Sequence, residues 1–373
     1  MEVSQYDVVI AGAGPAGSAA AIALKQAGFN VCLVDRKADG NRKVGESLPS
    51  ASIRLLKKLG INGIEGLLDA WNYKRCLVNA SSWGNEQWMY QSGMANPEGG
   101  GFHINRTAFD EALRQKAQTL GVPVYTALID QLYPIDDKKD TGFAVQFRGH
   151  NPTEITEIST KWVIDATGRK AAIGRKFGLK RERTDEQMAA VNWINAPVED
   201  IDHATRIKSV SDGWWYTSLL PDHSRVISFQ SLPATVARMH KNPELFFEKF
   251  NDAVLLPYKV TPDLSIQSMA VDAGVIKPEA VTAKGLLCVG DAALSFDPLS
   301  SQGIFFALYS GIKAADAIVK CLIDPIAADS TRNGYQLLVD SVFTENQKSR
   351  RYFYMNELRY FQQPYWQSRR FNL

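Results

Sequence analysis

A chain of 373 residues with 45% hydrophobic and 22% charged residues has the make-up of a globular protein, long enough for two lobes or for one domain with a large insertion. Its net charge of +2 gives no reason to expect a nucleic-acid partner. The four cysteines form no CxxC pair and the five histidines no metal-ligand spacing, so neither a zinc site nor a redox dithiol is expected. Tyr6 to Ala11 is a short apolar run ending in glycines, as suits a buried parallel strand. Ala16 to Ala27 follows as a helix stopped by Gly28, and Val31 to Val34 as a second buried strand ended by Asp35 and Arg36. This is a βαβ unit of about 30 residues, the size of a nucleotide-binding half. The Val8–Leu24 run is apolar enough to suggest an export signal. The charges before it are Glu2 and Asp7, however, where a signal carries Lys or Arg. No other stretch approaches the roughly 20 apolar residues of a membrane span, so a cytoplasmic protein is expected.

Arg106 to Leu120 reads as an amphipathic helix, with Phe109, Leu113, Ala117 and Leu120 three or four apart. Val122 to Tyr125 follows as a strand. Phe143 to Phe147 and Ile155 to Ser159 alternate like a solvated hairpin, and Lys161 to Asp165 returns to a buried strand. Residues 185 to 275 carry several strand-like runs and few helix signals. Gly213 to Pro221 and Arg225 to Gln230 are set to pair around Pro221–Ser224. Gly285 to Val289 resumes the parallel pattern, Gly303 to Cys321 is a long apolar helix, and a helical tail rich in aromatics closes the chain. Cys32 and Cys288, inside apolar strands, read as small core residues.

Gly12, Gly14 and Gly17 form a GxGxxG turn between strand and helix. Gly12 permits the tight turn, Gly14 lets a pyrophosphate approach, and Gly17 lets helix and strand pack closely. Pro15 and Ala16 open the helix, whose N-terminus carries roughly half a positive charge toward the phosphates. Asp35 is placed to accept hydrogen bonds from ribose hydroxyls, with Arg36 beside it. NAD and FAD both use such a turn, so a second signal decides. Gly290-Asp291, after a buried strand, resembles the second FAD fingerprint of flavin monooxygenases. The resemblance implies that Asp291 bonds the ribityl chain. It also implies that the loop holding Pro298, Gln302 and Gly303 faces the pyrimidine end of the isoalloxazine. Ala166 and Gly168, in Val163–Arg169, resemble the segment that closes over FAD. Asn105-Arg106 resembles the segment whose arginine reaches the flavin or its phosphates.

Together with Gly45-Glu46-Ser47, these segments resemble the branch of flavoproteins that holds tryptophan halogenases, geranylgeranyl reductases and single-component monooxygenases, with a hydroxybenzoate hydroxylase-type fold. The compact length and Gly213–Tyr216 resemble more closely the LodB and GoxB type, small flavoproteins of cysteine tryptophylquinone biogenesis. The resemblance covers about 1–180 and 280–320 well and the middle loosely. It implies an α/β fold: a Rossmann-like lobe (1–75, 100–180 and 276–325), an inserted, mainly antiparallel substrate lobe (76–99 and 181–275) and a helical segment (326–373).

Departures matter. Halogenases carry Trp-x-Trp-x-Ile-Pro, where this chain has Trp214-Trp215-Tyr216 and a later Pro221. Lys74 falls roughly where the halogenase lysine lies and is the candidate catalytic residue. Trp83, His103, Trp214, Trp215 and Tyr216 are candidates for the substrate pocket, with His103 a potential general base. Thr167 replaces the aspartate that hydroxylases use for NADPH, so electrons are expected from NAD(P)H directly or through a separate flavin reductase. The tail from Lys348 to Arg370 reads as a helix packed on the core with snorkelling arginines, ahead of a docking surface for protein or membrane. The expectation is an FAD-dependent monooxygenase acting on an electron-rich aromatic, including a tryptophan of a partner protein. The rivals are a halogenase, a reductase of isoprenoid double bonds and a non-catalytic flavin-bearing maturation factor.

Overall fold

The apolar run before Gly12 forms the strand Ser4–Ala11 at the centre of a twisted sheet. The structure is a computed structural model that describes residues 4–36, 42–93, 96, 98–135, 142–149, 155–261 and 267–371. Ser4–Ala11 pairs in parallel with Val31–Asp35 on one side and Ile155–Asp165 on the other. Val124–Thr126 and Leu286–Cys288 extend the parallel run outward. Val8, Val9 and Ile10 are wholly buried, as a strand covered on both faces requires. The solvated run at Ile155 and the buried run ending at Asp165 are one strand, not two. Its polarity changes along its length because its outer half lies exposed against Phe143–Arg148 and its inner half enters the core.

The helix Pro15–Gln26 packs on Gly303–Ile323 at backbone distance. A Cβ added to Gly311 would fall 2.4 Å from Ala16 O, and one added to Gly290 would fall 2.9 Å from Ala16 Cβ. Small residues at the crossing are what bring the start of the first helix onto the long one.

A second sheet runs in the order Ser268–Asp272, Met188–Asn195, Ser224–Ser231, Gly213–Leu219, Thr205–Val210, Val78–Ser82, Met89–Ser92. It is antiparallel except where Thr205–Val210 meets Val78–Ser82. Its side chains alternate between two faces. Ala190, Trp215, Ile227 and Phe229 pack against two helices, Pro233–Lys241 and Pro243–Asp252, that the strand-like texture of this region concealed. Each of these helices opens on a proline, which a first turn tolerates, and Asn242 caps the second by accepting from Leu245 N at 3.1 Å. Their phenylalanines 246, 247 and 250 are buried.

The C-terminal helices Ala328–Met355 and Pro364–Phe371 do pack on the core. Their arginines do not all snorkel: Arg350 and Arg369 are buried and paired with Asp185 and Asp297. All four cysteines are free and buried. Among the described residues no helix is long and apolar enough to cross a membrane.

His103 lies on Gly101–Ile104, the middle strand of a small three-stranded sheet, and ties it to the second sheet. It is wholly buried, with Nδ1 3.1 Å from Leu219 O and Nε2 2.9 Å from Thr205 Oγ1. Burial pushes its pKa down from 6.5 to about 4. Between those values the unfolded chain takes up a proton that the folded chain refuses. Stability is therefore present above pH 6.5 and lost as pH falls toward 4. Urea unfolding at about pH 4.5 and pH 7 should show the parent losing roughly 2–3 kcal/mol more than a His103→Gln variant. Equal losses in the two proteins would contradict this assignment.

Candidate active site

The carboxyl ends of the parallel strands are in register: Ala11 lies beside Val34 and Asp165, and Asp165 beside Cys288. The chain therefore turns at Gly12, Asp35, Ala166 and Gly290 along one edge, where open α/β sheets place their ligands. A cavity of about 830 Å³ opens there. Gly12, Gly14, Pro15, Ala16, Asp35, Arg36, Glu46, Ser47, Arg106, Ala166, Gly168, Gly290, Asp291, Pro298, Gln302 and Gly303 all line it. Gly17 stands behind the turn instead, where a Cβ would lie 1.9 Å from Gly12 O.

The glycine turn shows why each glycine is needed. Gly12 has φ +104°, and a Cβ there would meet Ala166 O at 2.4 Å. Gly14 has an ordinary extended backbone, and a Cβ there would meet nothing within 4 Å. The space in front of Gly14 belongs to the cavity. The helices Pro15–Gln26 and Gly303–Ile323 both begin on this cavity, and neither has a side-chain cap. Two sets of free N–H groups thus point into one elongated space, each favouring negative charge. A long dinucleotide, with its central pyrophosphate at one helix start and an anionic ring at the other, fits that arrangement.

Buried carboxylates hold the walls. Asp165 is wholly buried; its Oδ1 accepts from Thr167 N at 2.9 Å and Thr167 Oγ1 at 2.6 Å. Its Oδ2 accepts from Ile173 N at 3.0 Å and Gly174 N at 2.7 Å. This fixes the Ala166–Gly168 segment over the glycine turn. Glu46 Oε1 accepts from Trp193 Nε1 at 2.8 Å and Oε2 from Gly45 N at 2.8 Å; burial nevertheless pushes its carboxyl above the usual range. Arg106 donates to Val44 O and pairs with Asp110 at 3.3 Å, so it straps the Val44–Ser47 segment onto its helix. Burial also raises the Asp291 pKa, against the opposing charges of Arg169, Arg106 and Arg181.

The opposite wall is the cavity face of the second sheet: Ala189, Val191, Trp214, Tyr216, Val226, Ser228, Gln230 and Val271. Tyr216 Oη lies 2.9 Å from Ser47 Oγ and 2.9 Å from Ser218 Oγ. With its amide oriented to satisfy both neighbours, Gln230 donates to Trp214 O at 2.9 Å and accepts from Ser228 Oγ at 2.7 Å. Ser228 and Gln230 were absent from the sequence candidates. Their signal was the period-two alternation along Arg225 to Gln230.

Four expected residues lie elsewhere. Trp215 points to the back of the sheet, onto Phe229 and Phe246, because neighbours on a strand face opposite ways. Trp83 packs on Trp214, Tyr354 and Trp366 and donates to Phe353 O at 2.7 Å. His103 has both ring nitrogens engaged in the interior and does not line the cavity. Lys74 pairs across the small sheet with His103, which pairs in turn with Ser47. It stands two strands removed from the cavity edge and lines no part of it.

A family model described as FAD binding domain matches residues 5–323. The putative FAD-dependent oxidoreductase LodB of Marinomonas mediterranea is 24% identical over 373 residues, covering 98% of this chain and 97% of its own. Among solved structures, the flavin-dependent halogenase CmlS superposes with a TM-score of 0.84 at 24% identity, over 99% of this chain and 68% of that one. QhpG, a peptidyl tryptophan dihydroxylase essential for tryptophylquinone cofactor biogenesis, superposes with a TM-score of 0.76 at 23% identity, over 98% and 79%. The two structural likenesses show a shared fold.

Proposed function

Because the chain belongs to the FAD-binding domain family and is an FAD-dependent oxidoreductase of its halogenase and monooxygenase branch, we propose that it transfers oxygen to an electron-rich aromatic, a tryptophan side chain presented by a partner protein. The observation that carries this reading is the wall facing the cofactor turn. It combines the aromatic surfaces of Trp214 and Tyr216 with the hydrogen-bonding groups of Ser228 and Gln230, a wall suited to an indole ring with one N–H to satisfy. The printed activity of QhpG, on a peptidyl tryptophan, supports the same substrate class.

Bound FAD supplies the redox chemistry and the activation of oxygen. The chain's residues do the holding. The N–H groups behind Gly14 and Pro15 receive the pyrophosphate, Asp35 the adenosine ribose, Asp291 the ribityl hydroxyls, and the uncapped start of Gly303–Ile323 the pyrimidine edge. Arg106 keeps the Val44–Ser47 strap closed along the cavity. Burial raises the Tyr216 pKa, so its hydroxyl stays protonated and can orient a substrate without carrying charge. An indole carbon is already nucleophilic, so no side chain is required as a base. NAD(P)H, directly or through a separate reductase, is the proposed electron source.

Halogenation is the second reading, favoured by the likeness to CmlS. It needs a lysine at the substrate wall, whereas the lining lysines, Lys43 and Lys170, sit on the strap and beside Thr167. Mass spectrometry of a tryptophan-containing peptide, after reaction with the reduced FAD-loaded protein and oxygen, separates the two. Addition of oxygen with or without bromide is the expected result. A bromine isotope pattern appearing only with bromide would replace this reading with halogenation. An unchanged peptide, together with saturation of an isoprenoid alkene, would replace it with reduction.

A further inference from the structure

The loop that opens the long helix is held from behind by a part of the chain beyond the FAD-binding family match. Asp297, the residue before Pro298, is 1% exposed. Its Oδ1 accepts from Leu299 N at 3.0 Å, and its backbone oxygen from Ser300 N at 3.2 Å and Ser300 Oγ at 2.9 Å. One carboxylate oxygen therefore shapes the turn. The other, Oδ2, accepts from Arg350 Nε at 3.1 Å and from Tyr354 Oη at 3.0 Å. Arg350 and Tyr354 stand four apart on one face of Ala328–Met355, after the matched region ends at residue 323.

The network goes deeper. Arg350 Nη2 donates to Asp185 Oδ2 at 2.6 Å, and Arg369 Nη1 lies 3.1 Å from the same oxygen. Two aspartates and two arginines, each with a side chain no more than 3% exposed, balance in charge. Such buried pairs add little net stability over apolar packing of the same volume, so their contribution is chiefly geometric. Ser301, in the same turn, has φ +49°, a conformation that a non-glycine residue keeps only when its surroundings enforce it.

Tyr354 also reaches the opposite wall: Trp214 Nε1 donates to its hydroxyl at 3.1 Å. Trp214 and Asp297 both line the cavity. One hydroxyl thus bridges the substrate wall and the loop before the long helix.

We propose that Arg350 and Tyr354 are positioning residues. They set, through Asp297 and Trp214, the placement of the Pro298–Gly303 turn against the isoalloxazine and its distance from the substrate wall. The inference rests on FAD binding and not on which aromatic is oxidised. Its readouts therefore need no substrate, and they stand or fall separately from the oxygen-transfer reading.

The test compares Tyr354→Phe, which keeps the ring and removes the bridge, with Tyr352→Phe, an exposed control on the same helix. Arg350→Leu is the more severe variant, and Tyr354→Phe keeps the question answerable should it fail to fold. Bound-flavin circular dichroism in the visible range, the flavin midpoint potential and the FAD Kd are measured on the holoprotein. Tyr354→Phe should change the visible dichroism, lower the midpoint potential because the helix N–H groups no longer meet the reduced ring squarely, and raise the Kd about fivefold. Tyr352→Phe should change none of these. If Tyr354→Phe lowers only the melting temperature, or matches the parent throughout, the network is a structural clamp and the proposal falls.

Discussion

Replacing Gly14 by valine is expected to give a folded protein that does not retain FAD. The backbone at Gly14 has φ −72° and ψ −175°, a conformation that valine adopts readily, and an added Cβ meets no protein atom within 4 Å. The branched side chain instead fills the space in front of the helix N–H groups, where a pyrophosphate must approach. A rise in Kd of at least about 100-fold, roughly 2.7 kcal/mol, is expected. Gly17→Val provides the contrast. Its Cβ would sit 1.9 Å from Gly12 O, a clash with backbone that no rotamer relieves, so that variant should lose the fold itself. The flavin-to-protein absorbance ratio, read beside a thermal melt, separates the two. A Gly14→Val protein purified with a full complement of flavin would remove the cofactor turn from its assigned place.

The second large effect is expected at Asp165. Asn has the same shape but only one acceptor, so in Asp165→Asn either the Thr167 pair or the Ile173 and Gly174 N–H groups face an amide donor. Leaving two buried donors unpaired costs about 2–5 kcal/mol. The Ala166–Gly168 segment, which covers the glycine turn, should loosen with them. Urea unfolding is expected to show that loss, and FAD retention to fall in parallel. A variant with parent-like stability would mean that these N–H groups find other acceptors, and Asp165 would lose its role as the anchor of that wall.

The parts of the site that were legible in sequence are those whose chemistry is local. Gly12, Gly14 and Gly17 answer to one turn, and Gly290-Asp291 to another. Each is recognisable from the strand before it and the helix after it. The substrate wall was legible in type but not in detail. Trp214, Trp215 and Tyr216 form a run of aromatics, and only strict alternation separates Trp215, which belongs to the core behind the sheet, from its two neighbours. Ser228 and Gln230 were hidden in a strand whose apolar residues drew the eye. The helices that open on Pro233 and Pro243 lie inside a region whose texture read as mainly antiparallel strands. Least legible was the partnership of Asp297 with Arg350 and Tyr354, because no local pattern announces a contact between a loop and a helix more than fifty residues later. The same holds for His103 and Lys74: neither the glycine-rich segment before His103 nor the likeness in position that pointed to Lys74 said anything about the strand pairing that carries them away from the cavity.

The contact of the first helix, at Ala16, with Gly290 and with Gly311 of the long helix has one more consequence. Where backbone meets backbone, as at Ala16 and Gly311, no side chain is left to repack, so the two helix starts are held at a fixed distance. Their separation acts as a caliper for the cofactor. A molecule long enough to reach from the Gly14 turn to the start of Gly303–Ile323 engages both sets of N–H groups at once. A flavin mononucleotide also carries a phosphate and a flavin ring and can reach both jaws; what it lacks is the adenylate half that meets Asp35. The spacing offered to a phosphate and a flavin ring is thus set by the main chain, and at Gly290 and Gly311 any side chain larger than hydrogen would spread the jaws.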